Sequence, residues 1–569
     1  MSDKLTKGIK LLLPLLLAVL LLTVLVSGSA AGMPKHPEVP FEELIYQRPD
    51  AEALLTDIDA AIAELRAGTP YRRATALLDS CFDGFDRFDT MLTLANIRSC
   101  QDGEDSFYAE EYAWGLETSG KVSQSIDRLY RTCAETRYAE RLEREYFWDG
   151  FCLDYGEGSG ISDRAVELMQ REGELIGQYR ALMADPTILL DGYEERLNDF
   201  LATAGGYDTL KATEAFYRQY NERASELYIA LVRLRHELAA ELGYDSYEQM
   251  QYLDFFRRDY DSAAADDYIT EVRTKLLPLY EEVMSTNPYA ELTLEALSEQ
   301  RLREAVRGCA ERMGDPVAEA FGYMSRNSLW DTERRRTKQP VSFEIYLTAF
   351  EAPFLFLDPS GSTDDVFSLL HELGHYTDDY VSFAAPESTD LSECFSQSLE
   401  LLALGYLGEP LSETERETLV RLKLLDTLDL YVQQCSFAEF EREVYAMPPE
   451  ELSAERLNAL SLRLAKEYGY YDGKSEDYYS LGWFDILHFF EQPFYVISYP
   501  VTNDAAMQLF ALELEQSGQG TERYRELLER RSDSLLDSLE RAGLESPFAP
   551  GRVENCASLL RALLIGEKT

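Results

Sequence analysis

The sequence predicts a mainly α-helical protein with one small β-sheet, and three observations carry that expectation. Apolar residues recur at helical spacing, among abundant Glu, Arg, Leu and Ala, over residues 50–66, 123–141, 163–184, 209–240, 261–284, 411–433 and 523–542. Chain breakers separate those stretches: Gly156-Glu157-Gly158-Ser159-Gly160, Gly205-Gly206, Asn287-Pro288 and Pro448-Pro449. One region departs from the pattern. Val341-Ser342-Phe343-Glu344-Ile345-Tyr346-Leu347 and Pro353-Phe354-Leu355-Phe356-Leu357 are rich in β-branched and aromatic residues and predict two strands. An exposed strand edge there would let an extended peptide add through main-chain hydrogen bonds. With 569 residues the chain is long enough for two or more compact lobes.

The N-terminus reads as a targeting segment. Lys4, Lys7 and Lys10 precede an apolar run from Leu11 to Val26, interrupted by Pro14 and Thr23, and Ser27-Gly28-Ser29-Ala30-Ala31-Gly32 supplies small residues suited to cleavage. Residues 1–32 are expected to be an export signal; the other reading is an uncleaved anchor that attaches the protein to a membrane through residues 11–26. The protein is therefore expected outside the cytoplasm, secreted or held at the membrane. Export gives the eight cysteines a redox context. Cys81 and Cys100, and Cys133 and Cys152, form two pairs each separated by 19 residues, so disulfides are expected within this group. None has the CxxC spacing of a zinc or redox site. The net charge of −49 excludes nucleic acid as a partner, since phosphates need a basic surface. Acids lining a cleft would favour cationic ligands; acids spread over a solvated surface would give the same charge.

The chemistry centres on Asp364 to His375. Of the five histidines His36, His236, His371, His375 and His488, only His371 and His375 stand four residues apart. On a helix that spacing stacks two imidazoles on one face, where they can grip one metal ion with Glu372 beside the first. Ser362-Thr363-Asp364-Asp365 reads as a capped start, and Val366, Phe367, Leu369, Leu370 and Leu373 supply apolar faces. His236-Glu237-Leu238-Ala239-Ala240 begins the same way without a second histidine, and His236 is expected as an exposed helix residue. A catalytic zinc takes three protein ligands and keeps one position for water, so a third ligand is needed. The segment from Ser388 starts with cap-type residues, and Leu391, Phe395, Leu399 and Leu402 form one apolar face. Glu393, 18 residues after His375, leaves room for an antiparallel return and is the candidate third ligand. Glu400, two turns on, is placed to hydrogen-bond a ligand imidazole. His488, Tyr495 and Tyr499 gather three proton donors within a dozen residues; such donors can stabilise the oxyanion formed in peptide hydrolysis.

In these blocks and their order the chain resembles the zinc oligopeptidases that include oligoendopeptidase F and thimet oligopeptidase. The resemblance lies in Leu234 to Tyr244, in Pro353 to Asp358 followed by His371 to His375, in Glu393-Cys394-Phe395-Ser396-Gln397 with Glu400, and in His488-Phe489-Phe490 followed by Pro493 to Tyr499. It covers residue 210 to the C-terminus. It implies two helical lobes flanking a deep substrate channel, with the small sheet beside the HExxH helix. It also implies one Zn²⁺ per chain on His371, His375 and Glu393, with Glu372 as general base. His488, Tyr499 and Tyr495 would hold substrate and oxyanion, and short peptides would be the substrates. Three features depart from the pattern: Asp378 stands where many members have histidine, Ile497 where tyrosine is common, and the stretch from His375 to Glu393 is short. The expected organisation is a signal or anchor over 1–32, an N-terminal helical lobe over 33–205 and a catalytic region over 206–569. The other reading kept open is a catalytically silent, peptide-binding surface protein of the same fold.

Overall fold

The structure, a computed structural model, describes residues 36–148, 150–156, 162–184, 186–201, 207–292, 295–383 and 388–566. The expected signal or anchor over residues 1–32 lies outside them. Among the described residues no helix is long and apolar enough to cross a membrane. The described residues are mainly helical, as expected, with the small sheet expected beside the HExxH helix and a second, two-stranded one that was not expected.

The chain forms two compact units from alternating segments. One draws its described residues from the chain before Ser162, from 292–423 and from 505–545; the other from 162–291, 424–504 and 546–569. The expected division at residues 205 and 206 is consecutive, whereas these units are interleaved.

In the first unit, helices Ala51–Arg66, Tyr71–Gln101 and Ser106–Glu135 enclose an apolar core that includes Ile58, Leu78, Val122, Leu129 and Phe151. A three-stranded sheet follows. Ala352–Phe356 is its fully buried centre, paired antiparallel with Phe343–Leu347 and parallel with Trp330–Asp331. Phe343–Leu347 is therefore an edge strand and mostly half-buried. The HExxH helix, Asp365–Ser382, packs on this sheet and on the return helix Thr389–Ala403. In the second unit, Asp163–Met183 pairs with the long helix Tyr207–Leu242, joined through a hairpin of Thr187–Leu190 and Tyr193–Arg196. The 34-residue helix Glu413–Ala446 gives its start to the first unit and Leu424 onward to the second.

Several boundaries differ from expectation for local reasons. The expected helix 123–141 is interrupted after Glu135, where the Thr136 hydroxyl bonds the Cys133 carbonyl at 2.8 Å. Residues 523–542 form two helices, because Ser532 and Ser538 take up the local main-chain bonds between them. Residues 261–284 divide at Leu276, just ahead of Pro278, which has no N–H to continue a helix. The hairpin at 187–196 carries an unread signal, Asp191-Gly192, with φ of 52° and 88°, the tight-turn pair that joins twisted strands. The HExxH helix has no side-chain cap at Asp364; instead Asp365 accepts from the Ser360 and Gly361 N–H groups, each at 2.8 Å. His236 is half-buried rather than exposed, facing Tyr445 with a ring separation of 5.8 Å. The eight cysteines are free and seven are buried, so the expected disulfides of the first group are not formed. Cys81 and Cys133 share one apolar core and behave as small hydrophobes, their thiols pushed up to about 11 and about 12 by burial.

Candidate active site

The structure gathers the expected site residues into two clusters, one in each unit. In the first, the HExxH helix places His371 and His375 one turn apart on one face. Gly374, between them, lies against the return helix. A Cβ there would come within 2.5 Å of Ser396 Cα and 2.9 Å of the Phe395 carbonyl oxygen. A mid-helix glycine costs roughly 0.5–1 kcal/mol relative to alanine, and here the absent side chain lets two main chains touch. That approach brings Glu393 to the histidines.

His371 Nε2 lies 3.2 Å from His375 Nε2 and 3.7 Å from Glu393 Oε2, and the three ligand atoms all fall within 4.8 Å of one another. A tetrahedral ion with bonds of about 2.1 Å holds its ligand atoms about 3.4 Å apart, so the spacing fits one small dication. The other nitrogen of each ring is occupied. His371 Nδ1 donates to Glu400 Oε1 at 2.9 Å, and His375 Nδ1 hydrogen-bonds Ser392 Oγ at 2.9 Å. With Nδ1 engaged in both rings, the two Nε2 lone pairs and the carboxylate converge, an arrangement of three donors that calls for a shared cation.

Burial and charge shape the surroundings. Lys423 pairs with Glu400 Oε2, both buried. Against burial, Lys423 and the His371 bond hold the Glu400 carboxyl down to about 2. His371 is pushed up to about 9, because the Glu400 bond and the Glu393 charge outweigh burial. His375 is pushed well down by burial and by His371. Glu372 is pushed up to about 7 by burial, reinforced by Glu393 and Glu400 and opposed by His371. Its carboxyl takes a hydrogen bond from the main chain of Glu344 on the edge strand. Asp378, the departure from the resembled pattern, is buried and paired with Arg531 at 2.6 Å, so it belongs to the packing of the helix.

The second cluster holds the other three expected residues. His488 Nε2 is 3.4 Å from the Tyr499 hydroxyl, and the Tyr495 ring lies 4.8 Å from His488 and 5.3 Å from Tyr499. Burial lowers His488 and so favours the neutral imidazole. Ile497 is buried. Ser392, Lys423 and Gly374 were not singled out from the sequence. No local pattern marks Lys423, which stands two residues after Arg421, as the partner of Glu400.

The fold and the first cluster place the chain among helical HExxH proteins with a glutamate on a second helix. The sequence matches the description of Peptidase family M3 over residues 317–557 and that of the Peptidase M3 N-terminal domain over 41–151, together more than half of the chain. It is 29% identical to the chromosomal oligoendopeptidase F of Lactococcus lactis subsp. cremoris over 209 residues, 34% of this chain and 33% of that protein. The match thus spans about a third of the length of this curated relative. The fold is shared with PZ peptidase A, solved with an inhibitor, at a TM-score of 0.79 and 22% identity, covering 93% of this chain and 99% of that one. A chain from Bacillus anthracis str. Ames provisionally named oligoendopeptidase F gives a TM-score of 0.76 at 23% identity, covering 94% and 99%. The chain belongs to peptidase family M3.

Proposed function

We propose that the protein is an exported, zinc-dependent oligoendopeptidase that hydrolyses peptide bonds in short peptides. The observation that carries this reading is the convergence of His371 Nε2, His375 Nε2 and Glu393 within 4.8 Å, with Glu372 beside them. His371, His375 and Glu393 would hold one Zn²⁺ per chain, kept in register by Glu400 and Ser392. When bound, the metal supplies an acidified water and polarises the scissile carbonyl. Glu372, buried beside His371, takes the proton of the attacking water and returns it to the leaving amine. His488 and Tyr499 donate to the oxyanion, and Tyr495 lines the same wall. The substrate main chain adds to the outer side of Phe343–Leu347, the edge strand of its sheet. Restriction to short peptides follows the family resemblance, and export follows the character of residues 1–32.

The test is cleavage of quenched-fluorescence peptides of mixed length by the full chain, with zinc content measured alongside. Glu372→Gln is expected to keep zinc and lose activity at least about 100-fold, whereas His371→Ala loses both. Full activity in Glu372→Gln, or cleavage indifferent to a chelator, overturns the mechanism. Recovery of the mature chain only from the cytoplasm overturns export.

A further inference from the structure

The segment that carries the second cluster is pinned by residues distant in sequence. Phe494 has φ of 68°, a left-handed conformation uncommon for a residue with a large side chain. Its peptide groups are held on both sides. The Phe494 N–H donates to Glu441 Oε1 at 2.9 Å, and its carbonyl accepts from Arg258 Nη2 at 2.8 Å. The same nitrogen reaches Ser498 Oγ at 2.8 Å, one residue before Tyr499. Glu441 is 0% exposed and Arg258 5%, and the Arg258 guanidinium lies over the rings of Tyr252 and Phe256 at 4.3 and 4.5 Å. A buried carboxyl and a buried guanidinium are costly, and here both are aimed at the main chain of one left-handed residue. That residue stands immediately before Tyr495 and between His488 and Tyr499.

We propose that Glu441 and Arg258 are positioning residues for the reaction, clamping Phe494 in its left-handed turn so that His488, Tyr495 and Tyr499 keep one mutual arrangement. The inference rests on the oxyanion role given to that cluster. Neither residue needs to touch substrate. Both act by denying the turn its alternative, in which Phe494 relaxes to negative φ and the two tyrosines rotate away from His488.

The experiment uses the zinc-loaded full chain and reads kcat, KM and zinc content for Glu441→Leu, Glu441→Gln, Arg258→Lys, the Glu441→Leu/Arg258→Lys pair, and Tyr499→Phe as reference. Glu441→Leu and Arg258→Lys are each expected to lower kcat about 10–100-fold, with KM and zinc content near those of the parent. Glu441→Gln, which retains a carbonyl acceptor for the Phe494 N–H, is expected to restore kcat to within about threefold of the parent. The pair should lose no more than its worse single change, since either change frees the same turn. Unchanged kcat in Glu441→Leu and Arg258→Lys, beside a damaged Tyr499→Phe, overturns the clamp and leaves the oxyanion role standing. Unchanged kcat in Tyr499→Phe overturns both. Losses confined to KM or zinc content, or strictly multiplicative losses in the pair, also overturn it. Should Glu441→Leu fail to fold, Arg258→Lys alone decides by the same split.

Discussion

The two clusters are built by different means. In the first, side chains hold side chains: Lys423 grips Glu400, Glu400 orients His371, and Ser392 orients His375. In the second, side chains hold main chain: Arg235 donates to the carbonyls of Phe489 at 3.2 Å and Phe490 at 2.5 Å, while Arg258 and Glu441 take Phe494. The difference follows from the local backbone. Helices Asp365–Ser382 and Thr389–Ala403 satisfy their own peptide groups, so what remains to be fixed is ring orientation. Between helices Leu487–Glu491 and Ser498–Glu515 the Gln492 and Tyr495 N–H groups bond locally to the carbonyls of His488 and Gln492, while the Phe494 N–H and carbonyl take their partners from distant side chains.

Substitutions that act on one cluster and spare the other break or sharpen this contrast. The largest effect is expected from Tyr499→Phe, which removes one of the donors proposed for the oxyanion: kcat should fall about 100–1,000-fold while zinc content is unchanged. Loss of zinc with activity in this variant would erase the distinction between the clusters. Next comes Lys423→Met, which strips Glu400 of its cation. Zinc affinity, read by chelator competition, should weaken about 10–100-fold, with kcat at saturating zinc less affected. Gly374→Ala is expected to destabilise the first unit by about 1–3 kcal/mol through overpacking against Ser396, seen as a lower melting temperature together with weaker zinc binding. The smallest effect belongs to Ser392→Ala, about tenfold or less in zinc affinity, because His375 also keeps its place on the helix. Equal effects of Lys423→Met and Ser392→Ala would show that the buried ion pair adds nothing beyond a hydroxyl.

What could be read in advance divides along the same line. His371, Glu372 and His375 were legible because a helix turns a four-residue spacing into a shared face. Glu393 and Glu400 were legible because Leu391, Phe395, Leu399 and Leu402, all fully buried, announce their helix. Lys423, Arg258 and Glu441 were not. Each acts across a separation that no local pattern encodes, 23 residues from Lys423 to Glu400 and 236 from Arg258 to Phe494. The left-handed turn at Phe494 was equally hidden, since a glycine there would have signalled it and phenylalanine does not. The interleaving of the units is a property of long-range contacts, and breakers such as Gly205-Gly206 mark only where a helix stops.

Gly374 has a consequence best stated for the gene. Every codon change that alters this glycine adds a side chain or ends the chain, and any added carbon meets Ser396 and the Phe395 carbonyl. Position 374 has no side chain to bind or titrate, yet any substitution there presses on the return helix that carries Glu393.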